Sequence, residues 1–213
     1  MPTARIGGND DVDLHIRMYK QASSEGFNPI LYVTPQIIKE INKSYTKLDS
    51  IKFIGVKIHP DAIAYCSSNL ISIVDFAYLH GLPLFIHTGG KSSSEAIRFE
   101  SIIRNFPTQI FVLCHARPAN QAFYLMNRYS NVWIDTAFLP LKELKVRINE
   151  NNRNRILFGT DYPVNKWYPE LPDDSEWYAS LISDISTSFI QEISADILYN
   201  NYQSFRERFS KTL

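Results

Sequence analysis

The chain has 213 residues, with 22 Lys+Arg balanced by 22 Asp+Glu, 45% hydrophobic residues, 8 Gly, 11 Pro and 2 Cys, the make-up of one globular domain spanning 1–213. Zero net charge and the lack of any Lys/Arg run leave no electrostatic footprint for nucleic acid or an anionic membrane. Apolar runs such as 30–33 and 110–114 fall far short of the ~18 residues that a membrane span needs. No apolar leader follows Met1, and Cys66 and Cys114 have no C-x-x-C spacing, so a cytoplasmic protein without disulfides or thiolate-held zinc is expected.

In chain order, helical periodicity over 11–24 leads to a Phe/Ile/Val/Tyr-rich strand over 27–34, then a helix over 35–45 and a strand over 52–59. A helix over 68–80 precedes a strand over 83–88. A helix over 92–105, with Ser92 to Ser94 as its N-cap region, precedes a strand over 108–115. Pro118 suits the first turn of a helix over 118–129, and strands over 131–136 and 155–160 flank a helix over 139–149. An acidic loop over 168–176 and helices over 177–185 and 194–209 complete the series. The six strands recur at roughly the spacing of a β-α unit, so the class is α/β with a parallel sheet.

Two architectures share that pattern, and the position of the polar residues separates them. Lys57 and His59, His87, His115 and Asp161 all fall at or just past the C-terminal ends of strands. A (β/α) barrel gathers such ends at one mouth, whereas a doubly wound sheet concentrates its site at one switch point behind a glycine-rich turn. No G-x-G-x-x-G or Walker pattern occurs, and a TIM-barrel-like fold is favoured.

Alternation along strands groups these residues by face. His115 is expected to share a face with Leu113 and Phe111, leaving Cys114 and Val112 toward the helices. His87 goes with Phe85, Asp161 with Gly159 and Leu157, and Lys57 with His59 and Gly55. His87, His115 and Asp161 supply two imidazoles and a carboxylate, donor types suited to a divalent metal with an open position for water. Such a metal makes water a nucleophile near neutral pH, and a carboxylate can take its proton. Other residues carry two readings. Asp135 is a helix cap or a site residue, and Arg117 binds an anionic substrate or bridges across the mouth. His15 and His80 read as helix-surface residues and Cys114 as a small buried hydrophobe.

The strand ends, taken in order, resemble those of the amidohydrolase superfamily, and more closely its branch of metal-dependent hydrolases and decarboxylases of the amidohydrolase family 2 type. Ile156-Leu157-Phe158-Gly159-Thr160-Asp161-Tyr162-Pro163 is similar to that branch's eighth-strand motif and is the most specific piece. Phe53-Ile54-Gly55-Val56-Lys57-Ile58-His59-Pro60 resembles its fourth strand, and Leu84-Phe85-Ile86-His87-Thr88-Gly89 its fifth. Val112-Leu113-Cys114-His115-Ala116-Arg117-Pro118 resembles the sixth, Asn131-Val132-Trp133-Ile134-Asp135-Thr136 the seventh, and Asn200-Asn201 falls where the family has a final-helix Asn.

The resemblance implies His87, His115 and Asp161 as metal ligands, with Asp161 and His115 catalytic and Asp161 handling the proton of the attacking water. Zinc is the expected metal, with manganese, iron or nickel as substitutes. Lys57, matching a lysine that is carboxylated in some two-metal branches, is not assumed to be so modified here. Lys57, His59, Arg117, Asp135 and Tyr162 are the expected substrate contacts. The family's opening D-x-H-x-H is missing: Asp13-Leu14-His15-Ile16-Arg17 lacks the second histidine and lies in a helical pattern. Aligned by order, the residues around Asn9-Asp10 follow the family's second strand, so two strands are expected to be lacking.

Six parallel strands cannot close as an eight-stranded barrel and leave two edges and an inner face to be covered. A homodimer through the open side is the leading expectation; a separately encoded N-terminal piece, a substitute strand from residues 1–10 and a longer reading frame are the others. The expected function is a metal-dependent hydrolase, or a decarboxylase, for a small carbonyl or carboxylate substrate. The alternative is a catalytically reduced domain acting as a binding or assembly module.

Overall fold

Six short parallel strands run in chain order through the computed structural model, which describes residues 12–43, 52–168 and 170–210. They are β1 (Leu31–Tyr32), β2 (Val56–Ile58), β3 (Leu84–His87), β4 (Phe111–Cys114), β5 (Val132–Asp135) and β6 (Ile156–Leu157), each inside a segment expected from sequence. Every strand pairs with the next, and among the described residues β1 and β6 have one strand neighbour each. The register sets Lys57 beside Phe85, His87 beside Cys114 and Asp135 beside Leu157, which levels the polar strand ends. The proposed substitute strand, residues 1–10, lies outside the described residues.

The helices are α1 (Val12–Ser24), α2 (Pro35–Lys43), α3 (Ser67–Leu79), α4 (Glu100–Asn105), α5 (Ala119–Arg128), α6 (Leu141–Arg147), α7 (Asp174–Ser188), α8 (Gln191–Ala195) and α9 (Asn201–Ser210). Local chemistry starts several of them. The Thr34 hydroxyl accepts the Ile37 N–H at 3.0 Å before α2, and the Asp173 carboxylate accepts the Glu176 N–H at 3.1 Å before α7. Two expected helices are broken. The serine run Ser92–Ser94 forms a 3₁₀ turn, as does Ala96–Phe99, so the helix proper begins only at Glu100. The last helix is interrupted by a π-turn over Asp196–Asn200.

Two apolar layers hold the sheet. On the outer face Val56, Ile58, Leu84, Ile86, Phe111, Leu113, Val132 and Ile134 pack against the helices and are essentially sealed from solvent. On the inner face Ile30, Phe85, Val112, Cys114, Trp133 and Leu157 gather around Phe205 of α9. Both faces of a central parallel strand are apolar, so β4 reads as a continuous hydrophobic run that carries no alternation. This corrects the expected faces of β4: Cys114 and Val112 look inward, and Phe111 and Leu113 look toward the helices.

The inner face also has a cover that the sequence did not suggest. Phe205 stands edge-on to Trp133 at 5.1 Å and to Phe85 at 6.0 Å. Asn201, buried at the start of α9, fixes the helix by donating its amide to the Arg153 and Ile156 carbonyls at 2.7 and 2.9 Å. The C-terminal helix thus fills part of the space that an open barrel exposes.

Candidate active site

The strand ends lead into a cavity of about 460 Å³. Lys57, Cys114, His115, Asp135, Asp161 and Tyr162 line it, with Phe85, Leu157, Tyr178, Tyr202 and Phe205 as apolar walls. His59, His87 and Arg117 stand beside this cavity without lining it. Of the expected site residues, the structure therefore brings five to one space and forms a second, adjoining group around His87.

The backbone leaves ordinary geometry at this mouth. His115, Ala116 and Asp161 have φ of 68°, 45° and 55°, a left-handed region that costs energy for residues with a Cβ. Asp135 holds part of this turn: its carboxylate accepts the His115 N–H at 2.8 Å and the Ala137 N–H at 3.1 Å. Asp135 does not cap a helix, since α6 begins after Pro140; it anchors the turn and lines the cavity. The turn swings His115 away from simple strand alternation, which is why the imidazole reaches the interior although Leu113 does not.

A hydrogen-bond chain fixes the imidazoles. The Ala137 carbonyl only accepts, so the 3.3 Å contact from His115 Nδ1 assigns the proton to Nδ1 and leaves Nε2 with a lone pair. His115 Nε2 in turn accepts from His87 Nδ1 at 3.0 Å, and His87 Nε2 faces the Asp61 carboxylate at 3.9 Å. The His59 ring stacks on His87, centroids 3.7 Å apart. Burial, reinforced by His59 and Lys57, pushes His87 down to about 3, and burial with Lys57 holds His115 well below the ordinary imidazole range. Both rings are neutral at pH 7.

Asp61 was not singled out by sequence, although its position two residues past His59 was the available signal. Burial would raise its carboxyl, but the hydroxyl of Ser94, the Lys91 N–H and the hydroxyl of Ser93 hold it below the usual range.

The carboxylates differ sharply. Asp161 opens to solvent at the cavity mouth, yet desolvation among the surrounding loops, with Asp135 adding to it and Lys57 opposing it, raises its carboxyl to about 6. Asp135 is buried and pushed upward by that burial, against the pull of Lys57 and its two N–H donors. Cys114 is a thiol at neutral pH, since burial drives it to about 12. It was expected as a packing residue and is buried as such, but it also forms part of the cavity wall. The Arg117 guanidinium lies over the Phe138 ring at 5.6 Å, and the Arg117 backbone N–H donates to the Thr88 hydroxyl at 2.9 Å.

Whether a metal fits can be tested on these donors. The His115 Nε2 lone pair is engaged by His87, and the remaining imidazole lone pair faces Asp61 rather than Asp161. Among the described residues no group of three or more His, Cys, Asp or Glu is placed to hold a metal ion. The donors as arranged do not fit the three-ligand centre that the resemblance implies.

A parallel sheet flanked by helices, with its polar groups collected at the C-terminal strand ends, defines a TIM-barrel-like protein of the α/β class. The chain belongs to the amidohydrolase family, whose pattern it matches over residues 12–201. A comparison with curated protein sequences found no match. Among solved structures, an apo protein from Agrobacterium tumefaciens is similar with a TM-score of 0.62 at 13% identity, covering 90% of this chain and 72% of the other. The TatD-like protein from Archaeoglobus fulgidus gives 0.60 at 13% identity, covering 92% and 81%. Amidohydrolase 2 from Bifidobacterium longum subsp. infantis gives 0.55 at 10% identity, covering 90% and 85%. These likenesses show the fold, and family membership supports a hydrolase-type function. No helix among the described residues is long and apolar enough to cross a membrane.

Proposed function

We propose that the cavity hydrolyses a small substrate carrying a carbonyl group and a carboxylate, with Asp161 as the group that moves the proton of the attacking water. The observation that carries this reading is the Asp161 carboxyl, raised to about 6 at the mouth of the cavity that also holds Lys57 and His115. A carboxylate with that value accepts a proton near neutral pH far better than an ordinary aspartate. Lys57 supplies a positive charge for a substrate carboxylate or for oxygen charge developing on the carbonyl. His115, neutral and with both ring nitrogens engaged, forms the cavity wall near Asp161. Tyr162 and the aromatic walls shape the space for the substrate, and Asp135 acts by holding the His115 turn.

The test is a turnover screen of small carboxylate-bearing lactones, esters and amides, run on chelator-treated protein and again with added zinc or manganese. Asp161→Asn should lower kcat by about 10²-fold or more, and the wild-type rate should fall as pH drops below about 6. Turnover retained in Asp161→Asn would remove that role. Activity that appears only with metal, and is lost in both His87→Ala and His115→Ala, would instead assign His87, His115 and Asp161 as ligands.

The lack of a three-ligand group among the described residues favours a second reading, a binding module that keeps the fold. Ligand binding without turnover across the screen would select it. A homodimer through β1 or β6 belongs to the proposal as well, and a monomer mass in light scattering would remove it.

A further inference from the structure

Lys57 is the least ordinary group in the cavity. Its side chain is buried, with the residue 8% exposed, on the inner face of β2, and it lines the cavity wall. Lysine is almost never buried to this extent without a paired carboxylate. Here no carboxylate among the described residues stands within ion-pair distance of it, and the Cys114 thiol shares the cavity wall with it. The surrounding wall is apolar: Phe85, Leu157 and Phe205 are all at most 4% exposed. Asp135 and Asp161 lie further off in the same space, close enough to interact electrostatically with Lys57. A desolvated primary amine facing a small cavity with carboxyl groups across it is the arrangement in which a lysine serves as a nitrogen nucleophile toward carbonyl compounds.

We infer that Lys57 condenses with a small ketone or aldehyde in this cavity to form an imine. The step goes beyond hydrolysis and does not depend on it, since it needs a carbonyl without a leaving group. Lys57 Nζ passes one proton to a carboxylate of the cavity and adds to the carbonyl carbon, forming the N–C bond, while a second N–H proton goes to the carbonyl oxygen, which becomes the hydroxyl of a carbinolamine. A carboxyl of the cavity, Asp161 being the one open to the mouth, delivers the proton with which that hydroxyl leaves as water. The nitrogen lone pair closes the C=N bond. The net change is an ammonium group and a carbonyl compound giving a protonated imine and one water, with the cavity carboxylate regenerated and no change in oxidation state. The substrate class is a small ketone or aldehyde, its size set by the cavity of about 460 Å³.

The inference is tested by incubating the full chain with pyruvate, and separately with benzaldehyde, at neutral pH in the presence of cyanoborohydride, followed by peptide mass mapping. Unassisted, a buried lysine reacts more slowly than exposed ones such as Lys142 and Lys145. The expected result is Lys57 labelled about tenfold or more faster than those two, within the range that proton-transfer assistance supplies. Lys57→Met should remove that adduct while leaving the exposed ones. Asp161→Asn, in which Lys57 is intact, should slow labelling of Lys57 alone. Labelling of Lys57 at or below the rate of Lys142 and Lys145 with both probes would overturn the inference, whatever the outcome of the hydrolysis screen.

Discussion

The two faces of the sheet are built from similar side chains to different ends. The outer face is a sealed layer in which Ile86, Phe111 and Leu113 meet helices on every side. The inner face has a smaller cluster around Phe205, and above it a cavity with Lys57, Asp135 and Asp161 in its wall. Removing atoms from the outer face leaves a void that the close-packed surroundings cannot fill, whereas the inner face already borders open space and can relax into it. Stability is therefore concentrated on one face and chemistry on the other.

The largest effect that would break this contrast is on stability. Phe111→Ala should cost about 3–5 kcal/mol in denaturant unfolding, and Phe205→Ala should cost less because its surroundings can close over it. Equal losses would mean that the inner cluster is as confining as the outer. Next comes the acid response of the inner group. The folded value of His87, about 3, lies below the ordinary imidazole value, so the unfolded chain takes up the proton first as pH falls. Stability is then fully present above about pH 6.5 and is lost progressively toward pH 3, by up to about 1.4 kcal/mol per pH unit from this group. Burial of His115 acts in the same direction. Urea unfolding at pH 5 and pH 7 should show a smaller difference in His87→Gln than in wild type; an unchanged difference would show that the buried imidazole does not set the acid limb.

Smaller effects sharpen the comparison. Asn201→Ala strands two backbone carbonyls beneath α9 and should cost about 1–3 kcal/mol. A value near zero would mean that water replaces the amide and that α9 is held by Phe205 alone. Glu143→Ala breaks a half-exposed pair with Arg147 at 2.8 Å on α6 and should change stability by less than about 0.5 kcal/mol. A larger loss would place structural weight on a face that the packing assigns none.

The strands were legible because their apolar runs are short, regularly spaced and rich in branched and aromatic residues. Their order was legible for the same reason, and the polar strand ends pointed to a shared mouth. Which way β4 faces was not legible: in Phe111-Val112-Leu113-Cys114 every residue is apolar, so only the neighbouring layers decide. The site was legible as a set of residues and not as a set of contacts. His87 and His115 were expected together and do meet, but their engagement with each other and with Asp61 depends on the left-handed turn at His115, a backbone state that a histidine codon does not announce. Lys57 and Cys114 became neighbours only through the pairing of three strands. The cover of the inner face by Phe205 depends on a break in the last helix over Asp196–Asn200, which the helical periodicity ran straight through.

That cover also imposes a timetable. All six strands pair with their sequence neighbours, so during synthesis the sheet can extend one unit at a time as each β-α segment emerges. The residue that closes the floor, Phe205, is encoded after every strand. Until α9 has been made and seated, the ring of Phe85, the indole of Trp133 and the rest of that apolar floor remain accessible to other chains. The seating of α9 is thus the step that withdraws this floor from intermolecular contact.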